Sequence, residues 1–179
     1  MRRANRQVDA VLKAAPPAPE GVTLVGGSGR GEQMPQVVYR DAQGRLHNPD
    51  GPAETFYNLD GTLSSEDWLT HGIPHRLDGP SETVCDDKGR TVKERYFIDG
   101  LAHRLDGPAS IDYDQDGTPI REVWQYRGEE MSALRRHAPE FGISRDNDAA
   151  IDLLEGLPLR DLSPQHPAVV LARQLFPNA

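Results

Sequence analysis

Hydrophobic and polar positions alternate in short runs through the middle of the chain, and these runs recur at a fixed interval. Four glycines align them at a spacing of 28 residues, at Gly44, Gly72, Gly100 and Gly128. The repeating units are therefore 44–71, 72–99 and 100–127. Because an internal period of this length is typical of repeat arrays, we expect each unit to be one module that packs on its neighbours.

Each unit is predicted to fold as a β-hairpin, since its apolar residues alternate with a period of two. The first strands lie near 53–57, 81–85 and 109–113. The second strands lie near 63–70, 91–98 and 119–126. The stretches between them, NLDG, DDKG and DQDG, have the Asx-x-x-Gly preference of a type I turn followed by a left-handed residue. The predicted fold class is mainly β, an antiparallel sheet of tandem 28-residue hairpin repeats with short C-terminal helices as a cap.

Further positions repeat in register, and we predict structural roles for them. We call the loops at 47–52, 75–80 and 103–108 the corners of the array. Each corner begins with a histidine, at His47, His75 and His103. An Asp-Gly-Pro turn follows, with its aspartates at Asp50, Asp78 and Asp106. Each second strand carries a glutamate and then an aromatic residue, at Glu66 and Trp68, Glu94 and Tyr96, and Glu122 and Trp124. Two of the corners add an arginine, Arg76 and Arg104.

In a regular strand the repeated glutamates share a face with the aromatic residues two positions later, and we call this the aromatic face. A carboxylate there needs a partner, because an unpaired buried charge is costly. The corner arginines are the nearest candidates. We expect each glutamate to pair with the arginine after it, giving Glu66–Arg76 and Glu94–Arg104. Pairing within a unit, Glu94–Arg76 and Glu122–Arg104, is the alternative.

The repeated "HRLDGP", with its degenerate first copy "HNPDGP", resembles the MORN-repeat variant family, in particular the repeat antitoxin-like proteins of bacteria and phages. The resemblance covers 44–128 and rests on tandem G-x-x-H-R-x-D-G-P-A units. It implies a protein-interaction scaffold of antitoxin, immunity or phage anti-defence type rather than a catalyst. The first copy departs from the pattern at Asn48-Pro49, and a fourth copy is lost at "GEEMSALRRH", which suggests that the array ends in a capping helix.

The segments that flank the repeat domain, 37–128, have a different composition. Residues 1–36 are predicted to be an N-terminal arm, with a short helix near 4–14 and a flexible Gly- and Ser-rich linker over 21–36. Residues 129–179 are predicted to be helical, with helices near 131–137 and 147–155 and a third that starts at Ser163-Pro164. Both roles remain open for this last region, a cap on the array or an arm that binds a partner.

Charge and cysteine content narrow the function classes. The formal net charge of −8 argues against binding to nucleic acid or to an anionic membrane. The single cysteine, Cys85, excludes an internal disulfide and is expected to be a small buried residue. The N-terminus lacks the apolar stretch of a secretory signal, and no run is apolar enough to span a bilayer. We therefore expect a cytoplasmic protein.

No pattern in the chain predicts catalysis, a metal or a cofactor. The corner histidines occur once per unit, and equivalent residues of adjacent hairpins lie about 10 Å apart, too far to share one ion. "DYDQDG" at 112–117 resembles the start of a calcium loop, but its twelfth position is Val123 rather than glutamate. "GGSGRG" lacks the Lys-Ser/Thr of a phosphate loop. An enzyme that uses the repeated Glu and His residues is the least favoured hypothesis.

The strand face opposite the aromatic residues is the candidate partner-binding face. Its members mix apolar and basic side chains, namely Phe56, Val84, Leu69, Phe97, Lys93 and Arg121. Terminal helices could cover this face, or it could dock another protein or a second copy. The leading hypothesis is a scaffold that binds or sequesters a partner protein. The alternative is a structural subunit of a larger assembly such as a phage particle, which uses its terminal arms to contact neighbours.

Overall fold

The computed structural model describes residue 10 and residues 13–20, 22–27, 35–155, 163–166 and 169–170. The described chain is mainly β with antiparallel pairing throughout, which confirms the mainly β, antiparallel part of the predicted fold class. None of its helices is long and apolar enough to cross a membrane.

Fourteen strands are described. In chain order they are β1 (Thr23–Gly27), β2 (Gln36–Arg40), β3 (Glu54–Tyr57), β4 (Leu63–Asp67), β5 (Leu69–Thr70), β6 (Ile73–Pro74), β7 (Glu82–Cys85), β8 (Thr91–Arg95), β9 (Phe97–Ile98), β10 (Leu101–Ala102), β11 (Ser110–Tyr113), β12 (Pro119–Val123), β13 (Gln125–Tyr126) and β14 (Glu129–Glu130). Eight of them form one sheet in the order β1-β2-β3-β4-β7-β8-β11-β12. The other six form two-stranded ladders, β5 with β6, β9 with β10 and β13 with β14.

The turns between the paired strands of the large sheet follow from their Asx-x-x-Gly sequences. In the turn between β7 and β8, Gly89 N donates to Asp86 O at 2.9 Å, and Gly89 has a φ of 74°. The Asp86 carboxylate accepts from the backbone N–H groups of Lys88 and Arg90, and the Arg90 side chain also donates to it. These bonds lower the pKa of Asp86 to about 2. The same backbone bonds close the turns at 58–61 and 114–117.

The second strands of the units are shorter than predicted. Each ends one residue before the aromatic position, and the chain then makes a separate small hairpin such as β5 with β6. Its two turn residues, His71 and Gly72, have φ values of 52° and 84°, which is the type I′ geometry that two-residue hairpins favour. Positive φ recurs at Asp99-Gly100 and at Arg127-Gly128. The predicted continuous strands over 63–70, 91–98 and 119–126 are therefore wrong in their last residues.

The first unit begins differently from the other two. Gly44 closes a turn with Asp41, whose O accepts from Gly44 N at 2.9 Å, and it does not follow a residue of positive φ. The Asp41 carboxylate accepts from Arg45 N and Nε and lies 2.8 Å from His71 Nδ1. Burial alone would raise the pKa of Asp41, but the bonds from His71 and Arg45 hold it well below its usual range. Gly44 is thus only a sequence equivalent of Gly72.

Part of the predicted flexible linker is a β-strand. Thr23–Gly27 forms β1, which pairs along its full length with β2, so the linker prediction is wrong for these residues. In β2 the side chains of Val37, Val38 and Tyr39 are buried, and they form one end of the core. Residues 10, 13 and 14 are helical, while the rest of the predicted helix over 4–14 lies outside the described residues.

The C-terminal region, 129–179, begins with β14, so the prediction that it is helical is wrong for Glu129–Glu130, and the two predicted helices follow. Helix α1 (Ala133–His137) has Ser132 as its N-cap, a 3-10 turn (Ala138–Phe141) follows, and α2 (Asp148–Glu155) comes next. Met131, Ala138 and Ile151 are buried. The helix predicted to start at Ser163-Pro164 is not seen there, since 163–166 form a turn; Val169 and Val170 are helical, and the remainder lies outside the described residues.

Candidate functional site

Each corner histidine contacts the two-residue turn of the following small hairpin. His47 Nδ1 accepts from His71 N at 3.3 Å, His75 Nδ1 from Asp99 N at 3.2 Å and His103 Nδ1 from Arg127 N at 3.4 Å. In each case the donor is the positive-φ residue of the following type I′ turn. His75 Nδ1 also lies 2.9 Å from the Asp99 carboxylate, so a proton on Nδ1 donates there instead. Each ring thus accepts a backbone hydrogen bond from the following turn.

Two corner arginines cover the aromatic residues of the preceding strands. The Arg76 guanidinium lies 3.8 Å from the centre of the Trp68 ring, and the Arg104 guanidinium lies 3.9 Å from the centre of the Tyr96 ring. Each arginine is also fixed by its own Asp-Gly-Pro turn. Arg76 Nε donates to Asp78 at 2.8 Å, and Arg104 Nε donates to Asp106 at 2.7 Å. The aromatic residues are therefore half-buried beneath guanidinium groups rather than sealed inside a core.

The first corner holds its turn without an arginine. Asn48 Nδ2 donates to Pro52 O at 3.0 Å, in the way that Arg76 Nη1 donates to Pro80 O at 3.2 Å. The amide is too short to lie over the preceding aromatic residue. Asp50 is exposed, and its backbone N donates to the Asn48 carboxamide. The departure at Asn48 therefore preserves the turn and removes the cation.

The predicted glutamate pairing is only partly present. Arg76 Nη1 lies 3.8 Å from Glu66 Oε1, as predicted. Glu94 has no such contact with Arg104 and instead accepts from the phenols of Tyr113 at 2.9 Å and Tyr96 at 3.3 Å. Burial and then the Glu94 hydrogen bond raise the pKa of Tyr113 to about 12, so its phenol stays protonated and donates. Glu122, on the last strand, is exposed. Glu94 thus accepts from aromatic groups rather than from a corner arginine.

The opposite face unites four of the six predicted partner-binding residues. Cross-strand neighbours place Phe56, Val84, Lys93 and Arg121 in one row of the eight-stranded sheet. Leu69 and Phe97 do not belong to that row. They lie in β5 and β9, after the strand breaks at the aromatic position, so the prediction that all six share a face is wrong.

The next row of this face is acidic. Glu54 and Glu82 are the cross-strand neighbours of Asp67, and Arg95 Nε lies 3.9 Å from Glu82. Burial first, and then repulsion from the neighbouring glutamates, raises the pKa of Asp67 to about 6. No group of His, Cys, Asp or Glu within the described residues is arranged to hold a metal ion.

Within the described residues, no strand pairs with the outer edge of β12, which is the last strand of the large sheet. Three earlier backbone N–H groups at the aromatic position donate to the next strand: Tyr39 N to Ala53 O at 2.7 Å, Trp68 N to Ser81 O at 2.7 Å and Tyr96 N to Ala109 O at 2.8 Å. Trp124 N has no equivalent acceptor in the described part of the chain. Residues 119–122 are exposed, and Ile120 keeps 67% of its surface.

The described helices after β14 contact the last corner, and no described residue of theirs pairs with the β12 edge. The Arg145 guanidinium lies 5.1 Å from the centre of the Trp124 ring and donates to Leu105 O at 2.5 Å. Met131 takes the place of a corner histidine, since its N donates to Trp124 O at 2.8 Å as His75 N donates to Trp68 O. Sequence reasoning missed Arg145, which lies outside the repeats, and Tyr39, which lies one residue out of the 28-residue register.

Comparison of the chain with family models finds no match, and comparisons with curated proteins and with solved structures find no significant match.

Proposed function

We propose that the protein is a non-enzymatic interaction scaffold that binds a partner protein by adding a strand of that partner to β12. The open edge of β12 carries this proposal, because an unpaired strand edge is a template for another strand. The antitoxin, immunity or anti-defence role rests on the resemblance of "HRLDGP" to repeat antitoxin-like proteins. We also propose that the sheet is a MORN-like array, in which each 28-residue hairpin docks on the one before it.

The edge of β12 is equivalent to edges that are filled elsewhere in the sheet. Strand β8 accepts β11, and β4 accepts β7, through the backbone groups that alternate residues present on that side. By this alternation Glu122 directs its N–H and C=O groups outward, and Trp124 directs its N–H outward while its C=O accepts from Met131 N. Arg121 and Glu122 of β12 correspond to Lys93 and Glu94 of β8. In the pairing of β8 with β11, Asp112 lies opposite Lys93 and Ile111 lies opposite Glu94. A partner strand is therefore expected to carry an acidic residue opposite Arg121.

The test replaces Glu122 with proline, which removes one outward N–H and leaves the ladder to β11 in place. The probe is a peptide with the sequence of residues 108–113, PASIDY, the segment that β8 accepts. We expect the peptide to shift the amide resonances of β12 and Trp124 in the full-length protein. Glu122→Pro should weaken this binding at least tenfold, while Glu122→Thr, which keeps the N–H, should retain it. Equal binding by the proline variant would contradict the proposal.

Affinity capture followed by mass spectrometry then identifies the partner. The partner is a protein retained by the wild type and by Glu122→Thr and lost with Glu122→Pro. An identical set of proteins on all three would show that β12 is not the binding edge.

A structural subunit is the second candidate, and the direction of the edge strands favours it. All pairings in the sheet are antiparallel, so β1 and β12 run in opposite directions at its two ends. A second copy could therefore add its β1 to β12 and continue the sheet, which gives an open-ended filament. Concentration-dependent growth that Glu122→Pro abolishes would favour this candidate over a foreign partner.

A further inference from the structure

A cleft of about 930 Å³ lies at the other end of the sheet, between the N-terminal segment and the aromatic face. One wall is the segment Ala14–Pro19, which has the sequence AAPPAP. The facing wall includes Tyr39, Tyr57 and Trp68. A volume of this size is in the range of ligand-binding clefts, and the proline-rich segment does not fill it.

The contact between the two walls has the chemistry of proline-rich peptide recognition. Tyr39 Oη donates to Pro16 O at 2.7 Å. Prolines have no N–H, and an extended proline-rich chain makes no internal hydrogen bonds, so its carbonyl groups need donors from a binding surface. Aromatic grooves supply those donors together with flat apolar surfaces. Tyr39 itself is 3% exposed, so the segment is seated on it rather than near it.

The groove exists because the first corner lacks an arginine. Tyr39 occupies the place that Trp68 and Tyr96 take in the later units, as its backbone bond to Ala53 O shows. In those units a guanidinium covers the ring, but here the equivalent corner residue is Asn48, which lines the cleft. The side of the Tyr39 ring that an arginine would cover is therefore available to another segment of chain.

Acidic groups line the same cleft. Asp50 and Asp60 belong to its walls, and Thr62 donates to the Asp60 carboxylate through its backbone and its hydroxyl. The chain's own segment has a lysine, Lys13, immediately before its alanines and prolines. A basic flank is therefore complementary to this groove.

We propose that this groove is a binding site for proline-rich peptides with a basic flank, and that residues 14–19 occupy the part of it beside Tyr39 as an internal ligand and leave the rest empty. A proline-rich segment of a partner competes with the internal segment for the aromatic wall. This site is independent of the strand edge at β12, so either can fail without the other.

The test uses two peptides and full-length variants. The probe is KAAPPAPE, the sequence of residues 13–20, and the control peptide is KAASSASE. The triple variant Pro16→Ser, Pro17→Ser, Pro19→Ser weakens the internal ligand. We expect it to bind the probe at least tenfold more tightly than the wild type does, measured by calorimetry and by the indole N–H resonance of Trp68. The control peptide should not bind.

Two further substitutions in the triple variant separate the groove from a general effect on folding. Tyr39→Phe should weaken binding about fivefold, the usual effect of one hydrogen bond. Asn48→Arg should abolish binding, since it places over Tyr39 a guanidinium like those that cover Trp68 and Tyr96 in the later units. Circular dichroism should show an unchanged fold.

Three outcomes would overturn the proposal. These are equal binding of both peptides or of neither by the triple variant, unchanged binding after Asn48→Arg, and a wild-type dimer that the three serines dissociate. The last would mean that the segment serves a second copy. Because Glu122→Pro lies at the opposite edge, it should leave binding of the proline-rich probe unchanged.

Discussion

Asp67 illustrates how a single residue can act against the stability of the fold. It lies between two glutamates in the acidic row, and its pKa is raised to about 6 from an ordinary value of 3.8. A raised pKa means that the stabilising contribution is complete below pH 3.8 and is lost as the pH rises through 6. At pH 8 the ionised carboxylate therefore costs stability.

We predict that Asp67→Asn stabilises the protein at pH 8 by about 1 kcal/mol, after allowance for solvent screening. The gain should vanish at pH 4, and urea denaturation at the two pH values measures it. Asp60→Asn is the opposite-sign control, because hydrogen bonds from Thr62 lower the pKa of Asp60. A loss of stability at pH 8 for Asp67→Asn would contradict this interpretation.

Some of the side-chain contacts at the residue scale could be predicted from the sequence. The positions of the corner histidines and of the Asp-Gly-Pro turns could be identified because they repeat. The partners of Glu94 were not, since they depend on whether a phenol or a guanidinium reaches the carboxylate first. Tyr113, one strand away, reaches it at 2.9 Å.

At the scale of elements, the hairpins of the large sheet were predicted and the small ones were not. The Asx-x-x-Gly turns carry all their determinants within four residues, so sequence suffices. The type I′ turns need positive φ at His71, Asp99 and Arg127, and only the glycine after each gives a signal. The strand break before each small hairpin followed from that hidden turn.

The cap on the third unit depends on contacts that are distant in sequence. Arg145 reaches Leu105 O, 40 residues earlier, and also donates to Arg136 O. We predict that Arg145→Ala destabilises the cap by about 2 kcal/mol, the combined effect of its hydrogen bonds and its place over Trp124. Amide hydrogen exchange should speed up across 131–155 and change little in β7 and β8.

Arg121→Ala is the matched control for this substitution. The Arg121 side chain is 69% exposed on the edge strand, so its loss should change stability by less than about 0.5 kcal/mol. Equal effects of the two alanine variants would show that Arg145 does not hold the cap.

At the scale of the whole molecule, the corners link stability to pH. Burial lowers the pKa of both His47 and His103 below the ordinary value of 6.5. A lowered pKa means that the unfolded chain binds protons first as the pH falls. The contribution of these rings is therefore complete above pH 6.5 and is lost below it.

We predict that His47→Asn with His103→Asn flattens the fall in stability between pH 7 and pH 5. An asparagine oxygen can accept the same backbone N–H without titrating. The urea midpoint is measured against pH in the Asp67→Asn background, since Asp67 contributes with the opposite sign in this range. An unchanged slope in the double variant would contradict the assignment.

The two tryptophans occupy opposite ends of the array, one under Arg76 in the first unit and one under Arg145 in the third, while the middle unit has a tyrosine there. A guanidinium over an indole alters its emission, and that influence disappears when the corner opens. The two single-tryptophan variants, Trp68→Phe and Trp124→Phe, would therefore report by fluorescence on the opening of the third and the first unit, respectively. They would reveal whether the sheet frays from one end first or melts as a single cooperative body.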